Sequence, residues 1–236
     1  WSSDVCSSDL IGSRISPEAT QAAKQAADFL AAAGHEIIEI PYPVDGAALI
    51  RSYYQMNGAE TTAMMNSIQQ GLGRPIRKEE IEPFSWTMHQ FGQKIPAATY
   101  VHSLQLWDQA AVTMEELFQK FDLFLSPTTA FSAPKINEDL QSEHIRQRME
   151  QAAELTAAEL AELIYDYFDK SLQLTPYTQL ANLTGQPAIS LPTHVTATGL
   201  PLGIQLLAAR GREDLLFQVG EQFEQEGKFK LPESYR

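Results

Sequence analysis

The sequence predicts an α/β protein, with a mixed β-sheet flanked by α-helices. Three observations carry that expectation. Residues 16–40 read as helix, glycine, strand. The run Asp122-Leu123-Phe124-Leu125-Ser126 is short, apolar and stopped by Pro127, as a covered strand is. Residues 174–216, LTPYTQLANLTGQPAISLPTHVTATGLPLGIQLLAARGREDLL, hold a helix end, a turn, two strands and a helix start.

Taken in order, Ser16-Pro17-Glu18 supplies an N-cap, a proline at the first helical position and an acid in the first turn. An alanine-rich helix follows to Ala33, with Ala26, Leu30 and Ala33 as its docking side, and Gly34 stops it. Glu36-Ile37-Ile38-Glu39-Ile40 reads as a strand ended by Pro41. Residues 44–70 read as a helix with a break near Asn57-Gly58, and GLGRP at 71–75 as a clear interruption. Helix is expected after Pro83. From Pro96, Val101, Leu104, Trp107, Ala111, Met114, Phe118 and Phe121 recur at helical spacing.

The buried strand at 122–126 leaves Thr128 and Thr129 at its C-terminal end, where α/β sheets place ligands. Residues 138–170 read as acidic and helical. The turn Thr184-Gly185-Gln186-Pro187 then leads into the strand Ala188-Ile189-Ser190-Leu191. A polar connection at 193–199 is short enough for the return strand 202–207 to lie antiparallel beside it. Gly203 in that strand allows close approach. Arg212-Glu213-Asp214 starts the last helix.

The 236 residues are 44% hydrophobic and 20% charged, ordinary for a globular chain. A net charge of −13 argues against nucleic acid as a partner, because phosphate would be repelled. No apolar run approaches the roughly 20 residues that span a bilayer, so no membrane partner is expected. The one cysteine, Cys6, leaves no disulfide framework, which fits a cytoplasmic protein. HExxH, CxxC, Walker and GxGxxG patterns are missing, so neither metal nor cofactor is expected. The leader WSSDVCSSDL, residues 1–10, resembles translated sequencing-adapter contamination and is set aside from the fold. Residues 11–236 are read as one domain.

The blocks FDLFLSPTTAFSAP, ANLTGQPAISLP and GLPLGIQLLAARGREDLLFQVGEQFE, in that order, resemble the amidase signature family. The resemblance implies an α/β amidase that hydrolyses a carboxamide C–N bond without metal or cofactor. A serine, a second serine on a cis peptide bond and a lysine would do the chemistry, through an acyl-enzyme. Family members are much longer than this chain. The expectation is therefore that residues 11–236 form the C-terminal part of the amidase signature fold, a fragment whose partner is the missing N-terminal half of the same enzyme. No Gly-Gly-Ser-Ser-Gly-like run occurs, so no catalytic residue is assigned and the chain alone is expected to be inactive.

Five residues, Thr128, Thr129, Tyr177, Thr178 and Asn182, are candidate pocket wall for a small-molecule amide, although threonine and asparagine after strands also close turns and cap helices. Trp86, Phe91, Tyr100 and Trp107 could line an apolar pocket, but helical spacing favours core packing, and Met56, Met64 and Met65 read as core filler. His89, His102 and His194 read as surface, boundary or loop residues. Two alternatives stay open: the glutaminase subunit of a tRNA-dependent amidotransferase, and a non-catalytic binding module. The absence of an Arg-Arg block before the last strands favours an amide less charged than glutamine.

Overall fold

The computed structural model describes residues 11–12 and 14–232. The leader at 1–10 lies outside them. The described residues form two compact units: those within 11–46, 109–136 and 172–232 in one, and 47–108 with 137–171 in the other.

The first unit is built on three antiparallel strands, β1 (Leu123–Pro127), β2 (Ala188–Val195) and β3 (Pro201–Ala208), in the order β1-β3-β2. Alternation along each strand sorts the side chains into two faces. Leu123 and Leu125 of β1, Ile189 and Leu191 of β2, and Ile204, Leu206 and Ala208 of β3 all pack into one apolar cluster. Two helices cover it, α1 (Pro17–Ala32) and α8 (Glu213–Gln225). Ala22, Ala26 and Leu30 come from α1, and Leu216, Val219 and Phe223 from α8. Small alanines let α1 lie close to the sheet, and Phe29 meets Phe223 edge-on at 4.6 Å. Truncating the fully buried Ile204 or Leu206 to alanine should cost about 2–5 kcal/mol.

Local signals fix the ends of these elements. The Ser16 side chain accepts from the Ala19 amide, and Pro17 fills the first helical position, as the sequence predicts. Ala33 of the expected docking side is exposed. At β2, pairing slips between Leu191 and His194, where Pro192 has no N–H to give to the ladder. The Pro192 carbonyl accepts from the Lys230 amide at 2.6 Å. Short α7 (Gln179–Thr184) ends at Gly185, whose φ of 78° is left-handed. The Arg210 guanidinium donates to the Thr184 carbonyl there, and a Cβ on Gly185 would come within 3.2 Å of it.

The second unit is helical. Its core is aromatic: Tyr54 stacks on Phe168 at 5.0 Å, and Phe84 on Tyr167 at 4.3 Å. Burial, with Tyr53 and Tyr165 beside it, raises the pKa of the Tyr54 phenol. The Trp107 indole donates to Ser52 Oγ at 2.8 Å, and Phe91 is buried, so these aromatics pack as core.

Several expectations are corrected. Residues 36–40 form no strand. α2 (Gly46–Leu72) runs through Asn57-Gly58 without a break. Gly58 there is pressed by Phe91, so the glycine serves close packing and not a kink. The acidic stretch is two helices, α5 (Glu143–Glu150) and α6 (Ala157–Leu174), separated by a capped turn at Thr156, whose amide donates to Glu159. Met56 and Met65 are core, whereas Met64 is 53% exposed. His89, expected near the surface, is 4% exposed.

Candidate functional site

The face of the sheet turned away from α1 and α8 is different in kind. The register puts Ser126, Gln205 and Ser190 side by side across β1, β3 and β2. One pleat further along, Thr128 follows the end of β1 and Gly203 stands opposite. Hydroxyls and an amide therefore occupy the C-terminal end of β1 and the middle of the other two strands. Phe124, Leu207 and Ala188 continue the same face as an apolar stretch.

The centre of this row is a hydroxyl pair. Thr128 Oγ1 and Ser190 Oγ lie 2.7 Å apart. The Thr128 amide donates to the Gly203 carbonyl at 3.0 Å, which extends the β1–β3 ladder and fixes the threonine. Gly203 is required for the approach. A Cβ there would sit 2.8 Å from the Leu191 carbonyl oxygen, 3.1 Å from Thr128 Oγ1 and 3.2 Å from Ser190 Oγ. Ser190 is exposed and Thr128 half-buried, so solvent and a small ligand reach the pair.

Gln205 and Ser126 lie deeper and are tied down. Gln205 Nε2 donates to the Tyr177 carbonyl at 3.2 Å, and Ser126 Oγ donates to the Pro127 carbonyl at 3.1 Å. Buried polar groups need such partners, and here the partners also orient the side chains. These are neutral groups, so the row can align and hydrogen-bond a neutral ligand such as an amide, whose carbonyl accepts and whose N–H donates. The Thr128–Ser190 pair has one hydroxyl proton committed to the other oxygen and one left to donate outward.

The five residues expected as pocket wall are placed differently from one another. Thr128 is at the centre. Tyr177 is 2% exposed and reaches the row through its carbonyl. Thr129 Oγ1 donates to the Phe131 carbonyl at 2.8 Å and closes the turn after β1. Thr178 is the N-cap position of α7 without a side-chain cap bond, and Asn182 Nδ2 reaches back to the Thr178 carbonyl at 3.5 Å on an exposed surface. Ser126, Ser190, Gly203 and Gln205 were not singled out as site residues. Their signal was present: Ser190 sits between Ile189 and Leu191, and Gln205 between Ile204 and Leu206, so period two turns each away from the core. His194 reaches Gln25 at 3.4 Å and takes no part in the row.

Among the described residues no group of three or more His, Cys, Asp or Glu side chains is arranged to hold a metal ion. No helix among them is long and apolar enough to cross a membrane.

An apolar sheet face under helices, backed by a neutral hydrogen-bonding face, defines an α/β protein. Comparison with known proteins gives the family: the model of the Amidase family matches residues 6–217, and the chain belongs to that family. It is 37% identical over 225 residues to the lipoamidase of Enterococcus faecalis, covering 94% of this chain and 30% of that protein. Over 212 residues it is 28% identical to the 6-aminohexanoate-cyclic-dimer hydrolase of Paenarthrobacter ureafaciens, covering 89% of this chain and 40% of that one. A solved structure of 6-aminohexanoate cyclic dimer hydrolase superposes with a TM-score of 0.70 at 26% identity, over 94% of this chain and 44% of the other.

The reach of the family match corrects the description of this chain as a C-terminal portion. The matched span runs from Cys6, inside the leader set aside as contamination, through α1 and all three strands into α8. The chain is thus a family member over essentially its whole length. With that description go the label of fragment, the missing N-terminal half as a partner and the inference of inactivity drawn from it. The chain spans well under half the length of the relatives it matches, 30% of the lipoamidase and 40% of the cyclic-dimer hydrolase.

Proposed function

We propose that the protein serves the hydrolysis of carboxamide C–N bonds, and that the face bearing Thr128, Ser190 and Gln205 orients the amide. The observation that carries this reading is the hydroxyl pair over Gly203, a neutral donor and acceptor beside an apolar stretch of the same face. An amide needs its carbonyl and N–H fixed before its bond is attacked, and fixed geometry lowers the barrier by removing the cost of alignment. Family membership supports the reaction class. One relative reported above is named a lipoamidase and the other a hydrolase of the 6-aminohexanoate cyclic dimer, and a cyclic dimer of an amino acid is joined through amide bonds.

The substrate class that fits best is an uncharged acyl amide. Phe124, Leu207 and Ala188 extend from the hydroxyls without a charge between them, which suits an aliphatic acyl group better than a carboxylate. Thr128 and Ser190 are positioning residues in this reading, with Tyr177 and Gln205 holding the floor of the face. Thr129, Thr178 and Asn182 are kept as its outer wall. The absence of cysteine after Cys6 supports a cytoplasmic setting for the reaction, which cell fractionation tests.

Amine release from hexanamide and N-alkyl hexanamides by the purified protein is the test. Release that falls at least about tenfold in the Thr128→Val, Ser190→Ala double variant is expected, about 1.4 kcal/mol of lost alignment. No release, or release unchanged in the variant, overturns the proposal.

A further inference from the structure

The residues leading into β2 form a joint with two other parts of the sheet unit. Thr184 ends α7, Gln186 follows the left-handed Gly185, and Glu115 comes from the helix Ala97–Phe118. Arg210 lies in the turn after β3. Its guanidinium donates to the Thr184 carbonyl, one of the acceptors that a helix end leaves without an intrahelical partner. Its Nε lies 3.7 Å from Glu115 Oε1. The same carboxylate oxygen accepts from Gln186 Nε2 at 3.4 Å. Thr184 Oγ1 donates to the Leu180 carbonyl at 2.7 Å and touches the Gln186 side-chain oxygen.

Exposure divides the roles within the joint. Thr184 is 1% exposed and Gln186 6%, so their polar atoms depend on these partners. The Arg210 and Glu115 side chains are 53% and 43% exposed, and an ion pair that open adds little to stability. What the pair adds is placement. A guanidinium is a rigid fork of donors that holds a carbonyl and a carboxylate at once, whereas an ammonium is a point charge.

The strand that follows carries Ser190. The Pro187 carbonyl accepts from the Ala208 amide at 3.2 Å, and β2 then pairs Ala188 with Leu207 and Ser190 with Gln205. Beyond Leu191 the pairing shifts, so the far half of β2 does not share the register that sets Ser190. Alternation with Ile189 and Leu191 decides which face Ser190 takes. The anchored near end decides how far along β3 it lies.

We infer that Arg210 is a positioning residue: held by Glu115 and the Thr184 carbonyl, it fixes the start of β2 so that Ser190 meets Thr128. Its effect on turnover rests on the amide reading above, and its effect on the hydroxyl pair does not. A displacement of about 1 Å can cost an aligned reaction on the order of a hundredfold.

The test compares amine release from hexanamide by the full chain with release by Arg210→Ala, Arg210→Lys and Glu115→Ala. Release should fall at least about tenfold in Arg210→Ala, with lysine restoring less than about half of it and Glu115→Ala falling in the same direction. In the Thr128→Val, Ser190→Ala background, Arg210→Ala should have no further effect, because the pair it places is gone. A further loss of the same size there would mark Arg210 as a general support of the fold and overturn the inference. So would full activity in Arg210→Ala. A second readout needs no turnover: the NOE between the Thr128 and Ser190 side chains should be strong in the parent and weakened in Arg210→Ala, while that between Phe29 and Phe223 stays. An unchanged Thr128–Ser190 NOE overturns the inference. A parent that releases no amine, with that NOE weakened in the variant, supports the inference and overturns the amide reading alone.

Discussion

Thr128 and Ser190 sit 2.7 Å apart across the flank of β3, meeting over the one residue of that strand with no side chain to part them. Their strands do not touch, because β3 lies between β1 and β2. Contact across the width of an intervening strand is possible only because Gly203 leaves the space empty. The pair is therefore a property of three positions together.

Gly203→Ala should separate the pair and disturb β2. The new Cβ would lie 2.8 Å from the Leu191 carbonyl, a backbone atom that cannot swing away. Overpacking of this kind costs about 1–3 kcal/mol. Urea unfolding would register the loss as a lower midpoint, and an unchanged midpoint would show that the sheet has room there.

Thr128→Val and Ser190→Ala test the hydroxyls without crowding the strand. Each removes one member of a solvent-reachable hydrogen bond, so stability should change by about 1 kcal/mol or less. Activity should fall further than stability does. Comparing the urea midpoint with the rate of amine release separates the two effects.

The buried imidazole of His89 predicts a pH dependence. Burial holds its pKa below the ordinary 6.5. As pH falls past that value, the unfolded chain takes up a proton that the folded chain refuses, so unfolding is favoured. The loss continues until the folded pKa is reached. Its Nδ1 is buried without a partner, and its Nε2 contacts Gln93 Nε2 at 2.9 Å. His89→Gln should flatten the fall in urea midpoint as pH drops below about 6.5. A slope identical to that of the parent would contradict the assignment.

Glu80 is shifted in the same direction at the surface, by hydrogen bonds instead of burial. The Arg74 side chain, then the Arg77 amide and side chain, hydrogen-bond its carboxylate and lower its pKa from 4.5 to about 2. Arg74 reaches it at 2.9 Å. Arg74→Ala should raise the midpoint toward 4.5, followed by carboxyl NMR, with little effect on folding because the pair is exposed. A midpoint still near 2 would assign the whole shift to Arg77.

Much of the sheet unit was legible in the sequence because its signals are local. Ser16-Pro17 announces α1, Pro187 immediately precedes β2, and Asp122 to Pro127 reads as a strand by length and apolarity. Residues 36–40 misled for a physical reason. Glu-Ile-Ile-Glu-Ile has strand composition, but a strand exists only with a neighbour, and no neighbour is encoded in the segment itself. His89 misled because the mixed composition of its helix hides which side is buried.

The candidate site was half legible. Thr128 announces itself by its place after a strand. Ser190 and Gln205 face away from the core by alternation, but their meeting with Thr128 and Gly203 follows from the register of three strands, a long-range fact. The family resemblance is legible in the same strands, whereas the reading of the chain as a C-terminal half, drawn from the length of family members, is corrected by a match over residues 6–217.

The most direct measurement is a titration of the isotope-labelled protein with hexanamide, followed by backbone amide NMR. The account predicts saturable shifts at Thr128, Ser190, Gly203 and Gln205 that weaken at least about tenfold in the Thr128→Val, Ser190→Ala variant. Shifts that appear elsewhere, or that persist unchanged in the variant, would contradict it.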